Sequence, residues 1–331
     1  MKYKALGRTG VKVSSICLGT MTFGDQSDES TAAQLFHLSR EAGINIFDCA
    51  NIYAGGQSEI ILGKLIRECR DEVLITSKAY FPTGPDVNAG GTSRRHLMQT
   101  VEASLKRLGT DRIDIFYIHR FDDTTPLEQS LRALEDLVLQ GKLVYLGASN
   151  FAAWQVEKGL GISARNGWSR FECLQPLYNL VKRQAEAELL PMALAEGLSV
   201  FPYNPLGGGL LTGKYGPDKR PPTGRLVDNP MYRSRYDAAW MYQTARDFSE
   251  LAGKYGYPPA ALAVAWVGSH PAVTAPIVGA RRLEQLEQSL QASEIEMSEE
   301  LRQAISNLSP EPPPATDRSE ERTPVNFGIR S

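Results

Sequence analysis

Residues 44–119 decide the fold: INIFDC (44–49), EVLITSK (72–78) and IDIFYIH (113–119) are short β-branched or apolar runs set apart by helical segments. The helical segments read SEIILGKLIREC (58–69) and RRHLMQTVEASLKRLG (94–109). A buried strand followed by an amphipathic helix, repeated, is the pattern of a parallel sheet covered by helices. The repeat continues outward in both directions. KVSSICLG (12–19) precedes it, and LVYLGAS (143–149), FECLQ (171–175), LSVFPY (198–203) and APIVGA (275–280) follow. Further helical periodicity lies at 31–43, 127–142 and 188–197, with Gly43, Gly109, Gly141 and Gly197 where helix C-caps belong and Thr31 and Ser93 as N-caps. Eight strands alternating with helices predict an α/β fold, a (β/α)8 TIM barrel in one domain over residues 1–331. A doubly wound sheet is the rival, but no G-x-G-x-x-G follows the first strand. Residues 3–14 (YKALGRTGVKVS) predict a β-hairpin ahead of the barrel, with Gly7 and Gly10 at its turn.

Composition narrows the function. The 331 residues are 42% hydrophobic and 22% charged, an ordinary globular balance, and the net charge of -2 gives no basic footprint for nucleic acid. No apolar run is long enough for a membrane span, and no signal-peptide core follows the first residues. Cys17, Cys49, Cys69 and Cys173 show no metal spacing, so a reduced, cytoplasmic protein without structural zinc is expected. His37, His96 and His270 lack acidic or cysteine partners at ligand spacing and read as structural. The four tryptophans read as core or loop anchors, and Glu299-Glu300 as a solvated helix start. Two long loops, 81–92 and 207–235, follow strands that carry polar residues and are expected to act as lids. Residues 310–331, rich in Pro, Glu and Arg, are expected to form a poorly ordered tail.

Four polar residues stand at or just past strand ends: Asp48, Tyr53, Lys78 and His119. Ligands of parallel α/β proteins bind beyond the carboxyl ends of strands, so an acid, a phenol, an amine and an imidazole meet there. Taken singly, each is more often an ordinary polar residue; all four at equivalent ends point to proton transfer. A free phenol has a pKa of about 10, and a nearby cation lowers it. Lys78 could be that cation, held by Asp48, while His119 could orient a carbonyl oxygen or share its proton. None of the four supplies a hydride, so a nicotinamide must. Later strand ends suit one. Ser149, Asn150 and Gln175 offer partners for a carboxamide, Tyr203 a flat face, and residues 207–209 three glycines for a pyrophosphate. A helix opens after the last strand at Gly279, and Arg281 or Arg282, with Lys214 and Arg225, would bind phosphate. This excess of cations favours NADPH over NADH. Phe23, Tyr80, Phe81 and Met231 are candidate walls of a substrate pocket.

LGRTGVKVSSICLGTMTFG, DCANIYAGGQSE, TSKAYFP, YIHRFD, LGASNF, LQPLYN, YNPLGGGLLTGKY and GARRLEQLEQSL, in this order, resemble the aldo-keto reductase superfamily. Within it, the resemblance is to the branch of bacterial reductases related to voltage-gated potassium channel β subunits. It covers nearly the whole chain except the tail. It implies a barrel closed below by the hairpin, NADPH-dependent carbonyl reduction, and a catalytic tetrad on Asp48, Tyr53, Lys78 and His119, with Tyr53 as general acid. It places carboxamide contacts on Ser149, Asn150 and Gln175, the stacking ring on Tyr203, and the turn Gly19, Thr20, Met21 beside the cofactor, next to Asp48. A strap over the pyrophosphate and adenosine phosphate falls on Asn204, Pro205, Leu206 and Gly208, with Lys214 and Arg225. Gly279, Arg281, Gln285, Gln288 and Ser289 fall at the adenosine end. Many relatives carry Ser or Thr at the position of Arg281, Asn at that of Ser289 and Glu at that of Gln288, changes confined to that end.

Three functions compete. The leading one is reduction of a small-molecule aldehyde or ketone; a regulatory, NADPH-binding redox sensor is the second, and a lyase using Lys78 as a Schiff-base amine the third. No partner-binding extension precedes Tyr3, which favours the free enzyme. Homo-oligomers, including tetramers and octamers, occur among similar proteins.

Overall fold

An antiparallel hairpin, β1 (Tyr3–Ala5) and β2 (Lys12–Ser14), opens the chain. The computed structural model describes residues 1–316. After the hairpin come β3 (Cys17–Gly19), α1 (Glu29–Glu41), β4 (Ile46–Asp48), α2 (Gln57–Ile66), β5 (Leu74–Ala79) and α3 (Arg94–Leu108). The alternation continues with β6 (Ile113–Ile118), α4 (Leu127–Leu139), β7 (Leu143–Ser149), α5 (Ala153–Asn166), β8 (Phe171–Gln175), α6 (Leu189–Ala195) and β9 (Ser199–Val200). Four helices follow, α7 (Arg225–Asp228), α8 (Pro230–Tyr236), α9 (Ala239–Lys254) and α10 (Pro259–Gly268), then β10 (Ile277–Val278), α11 (Leu283–Leu290) and α12 (Glu299–Ser306).

β10 pairs with β3, and from there each strand pairs in parallel with the next as far as β9. Parallel bridges Val200–Val273 and Tyr203–Ile277 join the two edges. The expected (β/α)8 barrel is therefore present. Alternation along each strand sorts the side chains into two cores. Ile46, Ile115, Tyr117, Cys173 and Phe201 point into the cylinder, whereas Phe47, Ile75, Phe116, Ile118 and Leu174 point out beneath the helices. Leu6 and Val13 of the hairpin belong to the inner cluster, so the hairpin plugs the bottom. Gly147 makes room inside: a Cβ there would lie 2.4 Å from the Tyr117 ring.

Several local expectations change. The run 12–19 breaks in two, because Ser15 N–H donates to Lys2 O and only Cys17–Gly19 joins the barrel. Asp28, not Thr31, caps α1; its carboxylate accepts from Thr31 N at 2.8 Å, where an acid also suits the helix dipole. Ser93 does cap α3, and Glu299 opens α12 as expected. The stretch 207–235 is folded into a 3-10 turn (Gly207–Thr212), α7 and most of α8. Loop 81–92 is tied to itself and to Asp122, through Thr83 N to Ala89 O and Thr92 N to Asp122 Oδ2. Residues 310–316 carry no regular structure; the remainder of the expected tail, 317–331, lies outside the described residues.

Candidate active site

Two positions beyond the innermost core residues, the same alternation turns polar groups into the top of the cylinder. Asp48 stands two past Ile46, His119 two past Tyr117, Gln175 two past Cys173 and Tyr203 two past Phe201. Lys78 pairs in register with Tyr117, and Ser149 with Gln175. Lys78 is fully buried, and its ammonium donates to Asp48 Oδ1 and Oδ2 at 2.7 Å each and to Cys49 O at 2.6 Å. Asp48 Oδ1 also accepts from Thr76 Oγ1 at 2.7 Å and Gln175 Nε2 at 2.8 Å. Every ammonium donor is thus used, which keeps both charges in a buried place. An amine with no exposed surface and every hydrogen engaged cannot reach a carbonyl, so the lyase reading loses its residue.

Tyr53 lies in the turn after β4, where Ala54, Gly55 and Gly56 all take positive φ. The Lys78 ammonium is 5.2 Å from the Tyr53 ring centre. The phenol does not follow the expected acidification: burial first, then the Asp48 charge, pushes its pKa well up. Asp48 and Lys78 neutralise each other, so little net positive field reaches the hydroxyl. Tyr53 therefore stays protonated at neutral pH. His119 packs edge-on to Tyr53, ring centres 6.2 Å apart, and to Phe81 at 4.9 Å. Burial, helped by the Lys78 charge, lowers its pKa to about 3, so the imidazole is neutral. Its Nδ1 is buried without a hydrogen-bond partner.

On the opposite wall the amides are already organised. Asn150, at φ 56°, donates from Nδ2 to His119 O at 2.9 Å and Ser149 Oγ at 3.0 Å. Its Oδ1 accepts from the Tyr203 hydroxyl at 2.8 Å, and Ser149 Oγ donates to Gln175 O at 2.9 Å. Asn204, also left-handed at φ 63°, accepts from Gly208 N at 2.7 Å and donates to Tyr236 Oη at 2.6 Å. Non-glycine residues in this region are uncommon and gather where the surrounding structure holds a site in place.

These groups line a cavity of about 800 Å³. Gly19, Met21, Asp48, Tyr53, His119, Ser149, Asn150, Gln175 and Tyr203 surround one end. Asn204, Pro205, Leu206, Gly208, Lys214, Arg225, Gly279, Arg281, Gln285 and Gln288 continue the wall. Burial, then the charges of Arg281, Arg225 and Arg282, lowers the Lys214 pKa, so these four cations share one neighbourhood. Arg281 N–H donates to Gln285 Oε1 at 3.0 Å at the start of α11. Among the described residues no cluster of His, Cys, Asp or Glu is placed to hold a metal, and no helix is long and apolar enough to cross a membrane.

A family model described as Aldo/keto reductase family matches residues 15–309. This chain belongs to that family. An uncharacterized oxidoreductase of Bacillus subtilis, YrpG, is 37% identical over 94% of this chain and 97% of its own. A probable voltage-gated potassium channel subunit beta of Arabidopsis thaliana is 35% identical, covering 89% of this chain and 92% of that one. The versiconal hemiacetal acetate reductase of Aspergillus parasiticus is 34% identical over 90% and 94%. Membership and these reductase relatives make an oxidoreductase the class of this aldo/keto reductase family member.

Not every residue singled out from sequence reaches the cavity wall. Thr20 is buried and donates to Asp48 O at 3.0 Å; it shapes the turn through Ser58. Ser289 turns back to Gln285 O at 3.1 Å, and Lys78 sits behind Asp48. Of the candidate substrate walls, Phe81 and Met231 line the cavity, whereas Phe23 is fully buried and Tyr80 lies off the wall. Sequence reasoning missed Thr22, Ile52, Arg120, Tyr232 and Arg235. Arg120 carried a signal, since it directly follows His119; Tyr232 and Arg235 were hidden in a stretch read as loop.

Proposed function

We propose that this protein reduces aldehydes or ketones with NADPH, using Tyr53 as general acid. The observation that carries the reading is one cavity with Asp48, Tyr53 and His119 on the wall, Lys78 directly behind Asp48, and four cations at its other end that form no ion pair among the described residues. The residues fit the cofactor. The cavity volume is in the range of ligand sites. Gly208, at φ 69°, faces it where a Cβ would lie 2.8 Å from Tyr232, so backbone can approach a pyrophosphate. Lys214, Arg225, Arg281 and Arg282 would take the phosphates, and their number favours NADPH over NADH. Tyr203 would face the nicotinamide, with Ser149, Asn150 and Gln175 at its amide.

Bound NADPH would supply the hydride to the carbonyl carbon. The chain does the rest. Neutral His119 holds the carbonyl oxygen by hydrogen bonding, and of its two expected roles only orientation fits an imidazole that does not ionise near neutrality. Tyr53 gives its proton to the developing alkoxide, a far stronger base than phenolate. The Lys78 ammonium, 5.2 Å from the Tyr53 ring, stands beside the phenolate left behind, and Asp48 holds it in place. Three buried cysteines without disulfide partners suit a reducing compartment such as the cytoplasm.

Following NADPH consumption with a panel of aldehydes tests the reading. Repeated turnovers per protein molecule are expected. Oxidation of a single bound equivalent and no more would overturn it in favour of the redox-sensing alternative.

A further inference from the structure

Six cations line the cavity, Arg120, Lys214, Arg225, Arg235, Arg281 and Arg282, and none forms an ion pair among the described residues. Facing them are two wall acids, Glu284 and Asp48, the latter already committed to Lys78. The six divide into two sets. Lys214 senses Arg225, Arg281 and Arg282, the set suited to cofactor phosphates. Arg120 and Arg235 are not among the charges it senses, although Arg225 and Arg235 share the Tyr232 ring, each guanidinium 5.4 Å from its centre. The Arg120 guanidinium stacks 5.9 Å from the Tyr80 ring centre, Tyr80 packs on Phe81 at 5.3 Å, and Phe81 packs on His119 at 4.9 Å. Arg120 is therefore two rings from the imidazole. Arg235 stacks 5.4 Å from the Tyr232 ring, and its charge reaches the Tyr203 phenol. It lies one turn past Met231, on the same face of α8. Apolar Phe81, Met231 and Ile52 line the same cavity. A guanidinium stacked on an aromatic ring is held in plane, and its fork of N–H groups matches a carboxylate or a phosphate.

We propose that the carbonyl substrate carries an anionic group, carboxylate or phosphate, which Arg120 and Arg235 bind while Tyr53 and His119 address the carbonyl. This rests on the carbonyl-reductase reading above and names its substrate class.

Two matched pairs test it at saturating NADPH: 4-oxobutanoate against butanal, and glycolaldehyde phosphate against glycolaldehyde. At least one anion should be favoured about tenfold or more in kcat/KM, the scale of one charge-assisted contact. The pair that shows it distinguishes carboxylate from phosphate. In the double variant Arg120→Gln/Arg235→Gln the preference should collapse, chiefly through KM, with NADPH affinity held within about twofold. Two ratios near one in the wild type overturn the proposal, as does a preference that survives the double variant. A matching loss of NADPH affinity also overturns it, by assigning the arginines to the cofactor. Should no aldehyde turn over, the reductase reading fails separately. Calorimetry of 4-hydroxybutanoate and glycol phosphate, each against its uncharged alcohol, with and without NADP+, then decides the anion site. Binding of either anion that the double variant loses supports it, and absence of binding overturns it.

Discussion

The two ends of the cavity treat charge in opposite ways. At the Tyr53 end, Lys78 and Asp48 are buried together and spend their hydrogen bonds on each other, Cys49 O, Thr76 and Gln175. At the other end Lys214, Arg225, Arg281 and Arg282 crowd together without acid partners among the described residues. Like charges in proximity cost stability, which a bound anion would recover. The first end is thus finished as part of the fold, and the second is completed only by what binds there.

The largest effect should come from the finished end. Tyr53→Phe is expected to keep NADPH binding and to lower aldehyde reduction by roughly 10²–10⁴-fold, the scale of a general acid, read from steady-state rates and NADPH titration. Near-wild-type turnover would remove Tyr53 from the chemistry. Asp48→Ala leaves a buried ammonium unpaired and should cost about 3–5 kcal/mol in urea unfolding. Lys214→Ala, which relieves crowding, should stay within about 0.5 kcal/mol of wild type by the same measure. Equal losses in the two variants would erase the contrast between the ends. Arg281→Ala should weaken NADPH by about tenfold or more and NADH far less, because only NADPH carries the 2′-phosphate; equal weakening in direct titration would place this arginine elsewhere.

Acid sensitivity checks burial outside the cation cluster. His119 and His270 are held near pKa 3 and 4 by burial, below the usual value of about 6.5. Their neutral forms are favoured in the folded state, so their stabilisation is full above about pH 6.5 and declines as pH falls toward those values. The urea midpoint should already drop between pH 7.5 and 5.5, the pH interval spanning about 6.5. A constant midpoint would mean that both imidazoles charge freely in the native protein.

The barrel was legible because strand and helix periods differ and each strand is a short apolar run. Counting by twos from Ile46, Tyr117, Cys173 and Phe201 also reaches Asp48, His119, Gln175 and Tyr203. The direction of the Tyr53 pKa was not legible, since it depends on how deeply a turn is covered rather than on residue types. The same holds for Asn150, whose amide is engaged by Tyr203, 53 positions away in sequence. Helices α7 and α8 escaped notice because elements of 4 and 7 residues show little periodicity. They are held instead by Leu226, Tyr232 and Tyr236, which are buried against the barrel. Between Asp28 and Thr31 the cap was ambiguous, as both residue types bond helix N–H groups.

The cylinder is sewn unevenly. β5, β6 and β7 share long ladders, whereas isolated bridges at Val200–Val273 and Tyr203–Ile277 hold the last joint. Tyr203 and Ile277 both face the cavity. A molecule bound across both would bridge that joint, and its binding free energy would add to the joint's resistance to opening.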